Sequence, residues 1–433
     1  MPHRLRLSLL ADYLGATRNE IAVDEMLLGM AHVQADQVGY LPRVPLWVGR
    51  AVRAPALTRA VWRLAWLIWL GGGAIAFFAL EYLKFARLQR RSAPPTAAAT
   101  PGVGEGAVLG FSTRVCDILH QPQFVGVPKV WVTMPWARQH VLPQDALERP
   151  MLTLINRSDL RQAFIDAVTA TYALGRDAAR SRWALQSYTA FRWFLARRAI
   201  DQISGPLVTT EHFDRWAVLA DRSVRAGRRH GAKGHNRHLV LIQHGALGGL
   251  GRATTSRDSV LRLPVRLRCV DELYVYNATE EASFRSGVLA TERRDRPLTV
   301  NYFKPAIELS GDISSSRLRI LFVGHPICEL FQTAAYHELQ KKTVFDAYYK
   351  PHPKAPMSGG MAGVGWTIID NPQVFPRVDL LVSYPSTLVI EYEENGTPAS
   401  VHPISITREE LPVFLNQTRE LIESSRHTTS QTE

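Results

Sequence analysis

The chain has 433 residues, enough for two or three domains each with a core of its own. Hydrophobic residues make up 46% and charged residues 21%, which excludes a disordered chain. A formal net charge of +12 suits anionic partners such as nucleotides, phosphates, acidic glycans or an anionic membrane face, and by itself does not separate these from nucleic acid.

Cys116, Cys269 and Cys328 are widely spaced and form no Cys-x-x-Cys pair. That argues against a disulfide scaffold and for a reducing compartment. The first strongly apolar run begins far from Met1, so no cleaved signal peptide is expected.

Residues 1–91 are expected to form a helical, membrane-associated segment. Within it, residues 64–80 are 17 consecutive uncharged positions, LAWLIWLGGGAIAFFAL. At about 1.5 Å per residue, such a helix falls slightly short of a hydrocarbon core of ~30 Å. The central Gly71-Gly72-Gly73 weakens a helix. Trp62, Trp66, Trp69 and Tyr82 are expected at interface depth, and Lys84, Arg87, Arg90 and Arg91 favour a cytoplasmic position for the chain downstream of them. Arg43, Arg50, Arg53, Arg59 and Arg63 make the upstream flank basic as well. The segment therefore suits a re-entrant or interfacial hairpin at least as well as a single span. A hairpin buried in the soluble core is the plainer alternative.

Residues 92–106, SAPPTAAATPGVGEG, have linker composition. An α/β domain is expected over residues 107–309, with strands at 107–111, 129–133, 152–155, 206–210 and 238–243. A helical region over 159–203, broken near Gly175, lies among them. Its Trp183, Tyr188, Phe191, Trp193 and Phe194 are assigned to the core. Arg176, Arg180, Arg182, Arg192, Arg197 and Arg198 are assigned to a solvated face, with an acidic acceptor or lipid headgroups as the functional alternative. A second α/β domain is expected over 310–408, opening with a polar loop at 310–316. Its strands are placed at 319–323, 344–349, 367–369 and 379–382, and its helices at 328–341 and 388–394. This alternation predicts parallel, doubly wound sheets. Residues 409–433 read as a closing helix and tail.

Three segments carry the chemistry, and each follows an apolar strand. Residues 239–249, LVLIQHGALGG, deliver Gln243-His244-Gly245 to a glycine-rich turn, where backbone can approach a ligand closely. Residues 348–354, YYKPHPK, stiffen the chain around His352 with Pro351 and Pro353, and Lys350 and Lys354 add positive charge. Residues 378–398, VDLLVSYPSTLVIEYEENGTP, read as strand, tight turn, short helix and stop. Ser383, Ser386 and Thr387 supply caps and hydroxyl donors at a helix N-terminus suited to phosphate. Glu391 lies about one turn further in, on the Thr387 face, within reach of a ribose or sugar hydroxyl. Singly, each has a plain structural reading as a cap, a hydrogen-bonding histidine or a common His-Pro dipeptide. In order on an α/β background, they point to a ligand site at strand ends. His230, His235 and His238 read as a solvated basic loop, because no cysteine or acid stands beside them to complete a metal site. Contact with an acidic glycan is the functional alternative there. Gly245, Gly248, Gly249 and Gly251 lack the spacing of a dinucleotide fingerprint, and there is no Walker sequence.

The order His-Gly, basic residue-x-His-Pro, then Ser-x-x-Ser-Thr with a following acid resembles bacterial surface-polysaccharide transferases of the GT-B fold. These include capsule polysialyltransferases and related sialyl- and Kdo-transferases. The CDP-glycerol glycerophosphotransferases of teichoic acid synthesis look similar too. The resemblance covers about residues 206–398. Ser386-Thr387 stands where relatives often carry two serines. No clear paired-acidic motif of the sialyltransferase kind precedes the His-Gly segment, and Glu211 and Asp214 are the nearest candidates.

The resemblance implies two Rossmann-like domains, the first binding acceptor and the second binding donor. His244 would be the general base, with Gln243 and Gly245 on the acceptor side. His352 would hydrogen-bond the donor phosphate and Lys350 would add charge. Ser383, Ser386 and Thr387 would hold that phosphate, Glu391 the sugar hydroxyls, and His325 would line the cleft. The implied activity is transfer of a sugar from a CMP- or other nucleotide-activated donor to an acidic or lipid-linked surface glycan. It would proceed at the cytoplasmic face of a bacterial inner membrane, without a required cofactor or metal and without nucleic acid. A CDP-polyol phosphotransferase and a non-catalytic glycan-binding relative are the alternatives.

Overall fold

The computed structural model describes residues 2–30, 40–43, 55–91, 106–112, 114–124, 128, 130–137, 142–143, 145–229, 237–247, 261–290, 296–304, 307–311, 317–352 and 357–429. Residues 92–105 of the expected linker, most of the loop over 310–316, and Arg50, Arg53, Lys129, His230, His235, Gly248, Gly249, Gly251, Pro353 and Lys354 lie outside the described residues.

Helix α1 (Pro2–Met30) comes first. Helix α2 (Pro55–Ile68) then continues through a π turn, Trp69–Gly73, into α3 (Ala74–Arg91). Gly72 takes φ +128° in that turn, a conformation that only glycine enters readily. The glycine triplet therefore kinks one continuous rod, and the expected hairpin is not formed. Trp66 and Trp69 also depart from expectation. Their indole N–H groups donate inward, to the Ser181 carbonyl at 2.6 Å and the Ser187 hydroxyl at 3.0 Å.

The first sheet is built from β1 (Ala107–Gly110), β2 (Val130–Thr133), β3 (Leu147–Pro150), β4 (Leu207–Thr209), β5 (Leu239–Ile242), β6 (Val270–Val275) and β7 (Thr299–Tyr302). Helices α4 (Arg114–Leu119), α5 (Arg157–Arg176), α6 (Ala190–Ile200), α7 (Arg215–Arg229) and α8 (Ala278–Ser283) alternate with it. The strands β8 (Leu309–Ser310), β9 (Leu318–Val323), β10 (Phe345–Lys350), β11 (Thr367–Ile368), β12 (Phe375–Pro376), β13 (Leu380–Ser383) and β14 (Ala399–Val401) follow. Helices α9 (Glu329–Gln340), α10 (Thr387–Glu394) and α11 (Leu411–Thr429) accompany them.

Strand pairing is parallel in both sheets. The first sheet has the order β3-β2-β1-β4-β5-β6-β7 and the second β11-β10-β9-β13-β14, while β8 and β12 form a separate ribbon. Both orders run from a central strand to one edge and then restart on the other side, as doubly wound sheets do. The reversal falls between β1 and β4 in one sheet and between β9 and β13 in the other. A crevice opens at the carboxyl ends of the strands on either side of such a reversal. The expected α/β class with parallel sheets is thus present.

Details differ from expectation. Residues 151–154 form a 3₁₀ turn, and the strand is the preceding Leu147–Pro150, an edge strand with exposed polar side chains and no apolar signature. The amino-terminal segment is not a separate appendage. Tyr13, Phe78 and Phe85 share one buried core with Leu109, Leu207, Leu241, Phe191, Trp193 and Phe194. Each fully buried large side chain there contributes roughly 1.5–3 kcal/mol. Arg176 is exposed and Arg180 pairs with its sequence neighbour Asp177 at 2.8 Å, as on a solvated face, but Arg192, Arg197 and Arg198 are not on such a face. Arg192 pairs with Glu81 at 2.5 Å, Arg197 with Asp12 at 3.1 Å and Arg198 with Asp166 at 2.5 Å. They tie the amino-terminal helices and α5 to α6.

Candidate active site

The first crevice is built by the turns after β4 and β5. Gln243 is buried at the end of β5, where its amide donates to the Glu280 carboxylate at 2.6 Å and the Gly245 carbonyl at 3.0 Å. Its oxygen accepts from the Tyr276 N–H at 3.0 Å, and Glu280 also accepts from the Leu247 N–H at 2.8 Å. Gln243 is therefore a strut that fixes the His-Gly turn. His244 is half-buried, and its Nδ1 meets the carbonyl of Thr210, the residue that follows β4. A carbonyl can only accept, so Nδ1 carries the proton and Nε2 is the basic nitrogen. The His212 ring lies against it, centroids 4.3 Å apart.

Glu211 and Asp214 stand in the same turn. Asp214 caps α7, accepting from the N–H groups of Trp216 at 2.8 Å and Ala217 at 3.1 Å. Burial first, and the neighbouring Glu211 carboxylate second, push its carboxyl well above the usual range. Two carboxyls in one buried turn disfavour each other's ionisation, which is the direction of the Asp214 shift. The chain thus carries a paired acid next to His244, in the spacing Glu-x-x-Asp. Phe111, Trp216 and Trp136 stack on one another near the start of α7, with centroids 4.9 Å and 5.6 Å apart, packed on the first sheet's core.

The second crevice gathers the turns after β9, β10 and β13. Gly324 ends β9 where an added methyl would meet the buried Tyr349 hydroxyl at 1.9 Å, so only glycine fits. His325 follows, with its ring 5.3 Å from His352 and 5.6 Å from Tyr384. Burial, and then His352, depress its pKa to about 3, so it is neutral. Its Nδ1 accepts from the Ile327 N–H at 3.3 Å, which leaves Nε2–H as an uncharged donor. Ser386 is the N-cap residue of α10 but its side chain caps no backbone N–H. Its hydroxyl meets that of Ser383 at 3.2 Å.

The two crevices meet. The Ala246 N–H donates to Thr387 Oγ1 at 3.2 Å, and Ile390 of α10 packs on the first sheet's Phe124, Tyr276 and Phe303 cluster. Lys304 pairs with Glu394 at 2.6 Å on the same seam. His244, Gly245, Thr387, Ser386, Tyr384, His325 and His352 therefore form one connected group. Two expected site residues do other work. Lys350 is buried, and its ammonium donates to the Asn371 and Val374 carbonyls at 3.0 and 2.8 Å, 4.7 Å over the Phe375 ring. Burial lowers its pKa to about 8. The strand-end charge expected at the donor phosphate is spent holding the loop over 371–375. Ser383 is fully buried and donates to the Tyr384 carbonyl at 2.5 Å, so it shapes the turn and does not face the cleft. No group of His, Cys, Asp and Glu with metal-holding geometry occurs among the described residues.

Glu391 sits on α10 at this seam, and burial raises its carboxyl to about 7. A vicinal diol donates hydrogen bonds to the ionised form. If Glu391 holds a ribose as expected from the sequence, ionisation as pH rises through about 7 should tighten nucleotide binding, and Glu391→Gln should flatten that dependence. Titration calorimetry with CMP at several pH values reads this directly. Equal pH slopes in the two proteins would remove Glu391 from the ribose site.

No family model matches the chain, and no curated protein matches it.

Proposed function

We propose that the protein is a glycosyltransferase with the GT-B arrangement, using a nucleotide-activated donor, CMP-sugar favoured, and a surface-polysaccharide acceptor. The observation that carries this reading is the junction of the two strand-end crevices at Ala246 and Thr387, with a basic imidazole on one side and a helix N-terminus on the other. An acceptor hydroxyl loses its proton to His244 Nε2 as its oxygen attacks the anomeric carbon. The bond from that carbon to the donor phosphate breaks, and its electron pair leaves on the phosphate oxygen. His352, the neutral His325 Nε2–H and the free end of α10 stabilise that charge. The Glu211–Asp214 pair orients the acceptor from the β4 side.

Purified protein given a panel of CMP-sugars and CDP-polyols tests the proposal, with CMP release and product structure as readouts. A glycosidic product supports it. A phosphodiester product would assign CDP-polyol phosphotransfer, and binding without release of CMP would assign a glycan-binding relative. His352→Ala should lower turnover by about 10²-fold through loss of one donor to the leaving phosphate. An unchanged rate would exclude that role. Charge neutralisation by imidazoles and a helix end needs no divalent ion, so EDTA should leave turnover in place. Loss of turnover restored by a divalent ion would overturn that expectation.

A further inference from the structure

We infer that the kinked rod α2–α3 seats the protein on an anionic lipid bilayer by one face, lying in the interface and not crossing it. The outer face of the rod is apolar: Leu57, Val61, Leu64 and Ile68 recur at helical spacing on α2, and beyond the kink Leu83 lies opposite the buried face of α3 with Ile75 and Leu80 on either side of it, each 42–71% exposed. A core helix would bury these positions, yet 17% of the rod's most apolar window is buried. A row of large apolar side chains this long is what an interface or a lipid surface covers.

The opposite face decides between lying and crossing. It is fastened to the first sheet's helices along most of its length. Trp66 bonds to the Ser181 carbonyl and Trp69 to Ser187. Glu81 pairs with Arg192, and Gln89 donates to the Ile155 carbonyl at 2.7 Å. Crossing would carry the Glu81–Arg192 pair and part of α5 and α6 into hydrocarbon, where unsatisfied polar groups cost several kcal/mol each. Immersion on one side leaves every one of these contacts intact.

Charge selects lipid as the occupant over a second copy of the chain. Between residues 55 and 91 the sequence has one acid, Glu81, and it is buried and paired. Lys84, Arg87, Arg90 and Arg91 are exposed at the carboxyl end of the rod, and Arg59 and Arg63 are exposed on the side of α2 away from the stripe. An apolar row that ends in four cations complements acyl chains beneath phosphate headgroups. Two copies face to face would oppose like charges. The inference does not depend on the reaction proposed above.

Flotation of the full chain with vesicles tests it. The protein should float with phosphatidylcholine–phosphatidylglycerol vesicles, less well with phosphatidylcholine alone, and less well in high salt. The double variant Leu64→Asp/Ile68→Asp should lower vesicle partitioning by at least about tenfold, with unchanged circular dichroism and urea unfolding, because both positions are exposed. Depth is read with a fluorophore attached to Leu57→Cys, Leu64→Cys or Leu80→Cys and quenched by brominated lipids, the three native cysteines being buried. All three sites should report one shallow depth, about 5–10 Å into the headgroup boundary. Depths that pass through the bilayer centre would show a span and overturn the inference. So would no flotation, a double variant that floats like the parent, or a lipid-free dimer that the double variant splits. CMP release does not enter these readouts, so failure of the glycosyltransferase reading would leave the flotation result unchanged.

Discussion

Replacing His244 by alanine should lower sugar transfer by about 10²–10⁴-fold, the range a positioned general base contributes. The side chain stands at the tip of the turn after β5. The turn itself is held by Gln243 and Glu280, so removing the imidazole leaves its frame in place. His244→Asn sharpens the test. An asparagine amide can still donate to the Thr210 carbonyl but offers no basic nitrogen, so this variant should be as inactive as alanine if Nε2 takes the proton. Donor affinity should be unchanged in both, because the proposed donor side is built from the second sheet. The neighbouring acids supply the contrary outcome. If His244→Asn kept its rate while Glu211→Gln lost it, the base would be the Glu211–Asp214 pair, and His244 would be a residue that positions it.

The sequence carried some of this arrangement locally, and the remainder depended on partners far along the chain. Strands β1, β5, β9 and β13 were readable because both their faces are covered, which demands an unbroken apolar run. β6, VDELYV, and β7, TVNY, have partly exposed faces and lack that run, and β3 is an exposed edge. His244 and His352 were readable because each follows an apolar strand at a glycine- or proline-marked turn, and Thr387 because strand, turn and helix succeed one another there. The value of Glu211 and Asp214 was not, since it comes from β4 lying beside β5, a pairing of residues about thirty positions apart. Lys350 misled for the converse reason. Its neighbours in sequence suggest a phosphate ligand, while its partners in space are carbonyls more than twenty residues downstream. The arginines of α6 read as a solvated face because Asp12 and Glu81, which pair with two of them, lie more than a hundred residues upstream.

Glu20→Gln should destabilise the protein by about 3–5 kcal/mol, the cost of leaving a buried charge without its partner. Glu20 of α1 pairs with Arg215, the residue after Asp214, and the two side chains are 4% and 2% exposed. Its second oxygen accepts from the Arg215 backbone N–H at 3.2 Å, and Arg43 approaches the same carboxylate at 2.9 Å. Removing the carboxylate leaves two arginines facing each other at the root of α7. Burial alone would raise the Glu20 pKa, but Arg215 and Arg43 outweigh it and bring it to about 2. The folded value lies below the unfolded one, so the contribution is complete above the ordinary value of about 4.5 and is lost as pH falls towards about 2. Urea unfolding at neutral pH measures the loss, and the gap between parent and variant should close in acid. Glu20→Leu/Arg215→Met should recover part of the stability, because an apolar pair needs no compensation. The double variant also loses the clamp that holds Asp214 against Glu211, so recovered stability should come with weakened acceptor use. A Glu20→Gln variant within about 1 kcal/mol of the parent would mean that Arg43 and Arg215 find other partners, and that α1 does not hold the acidic turn in place.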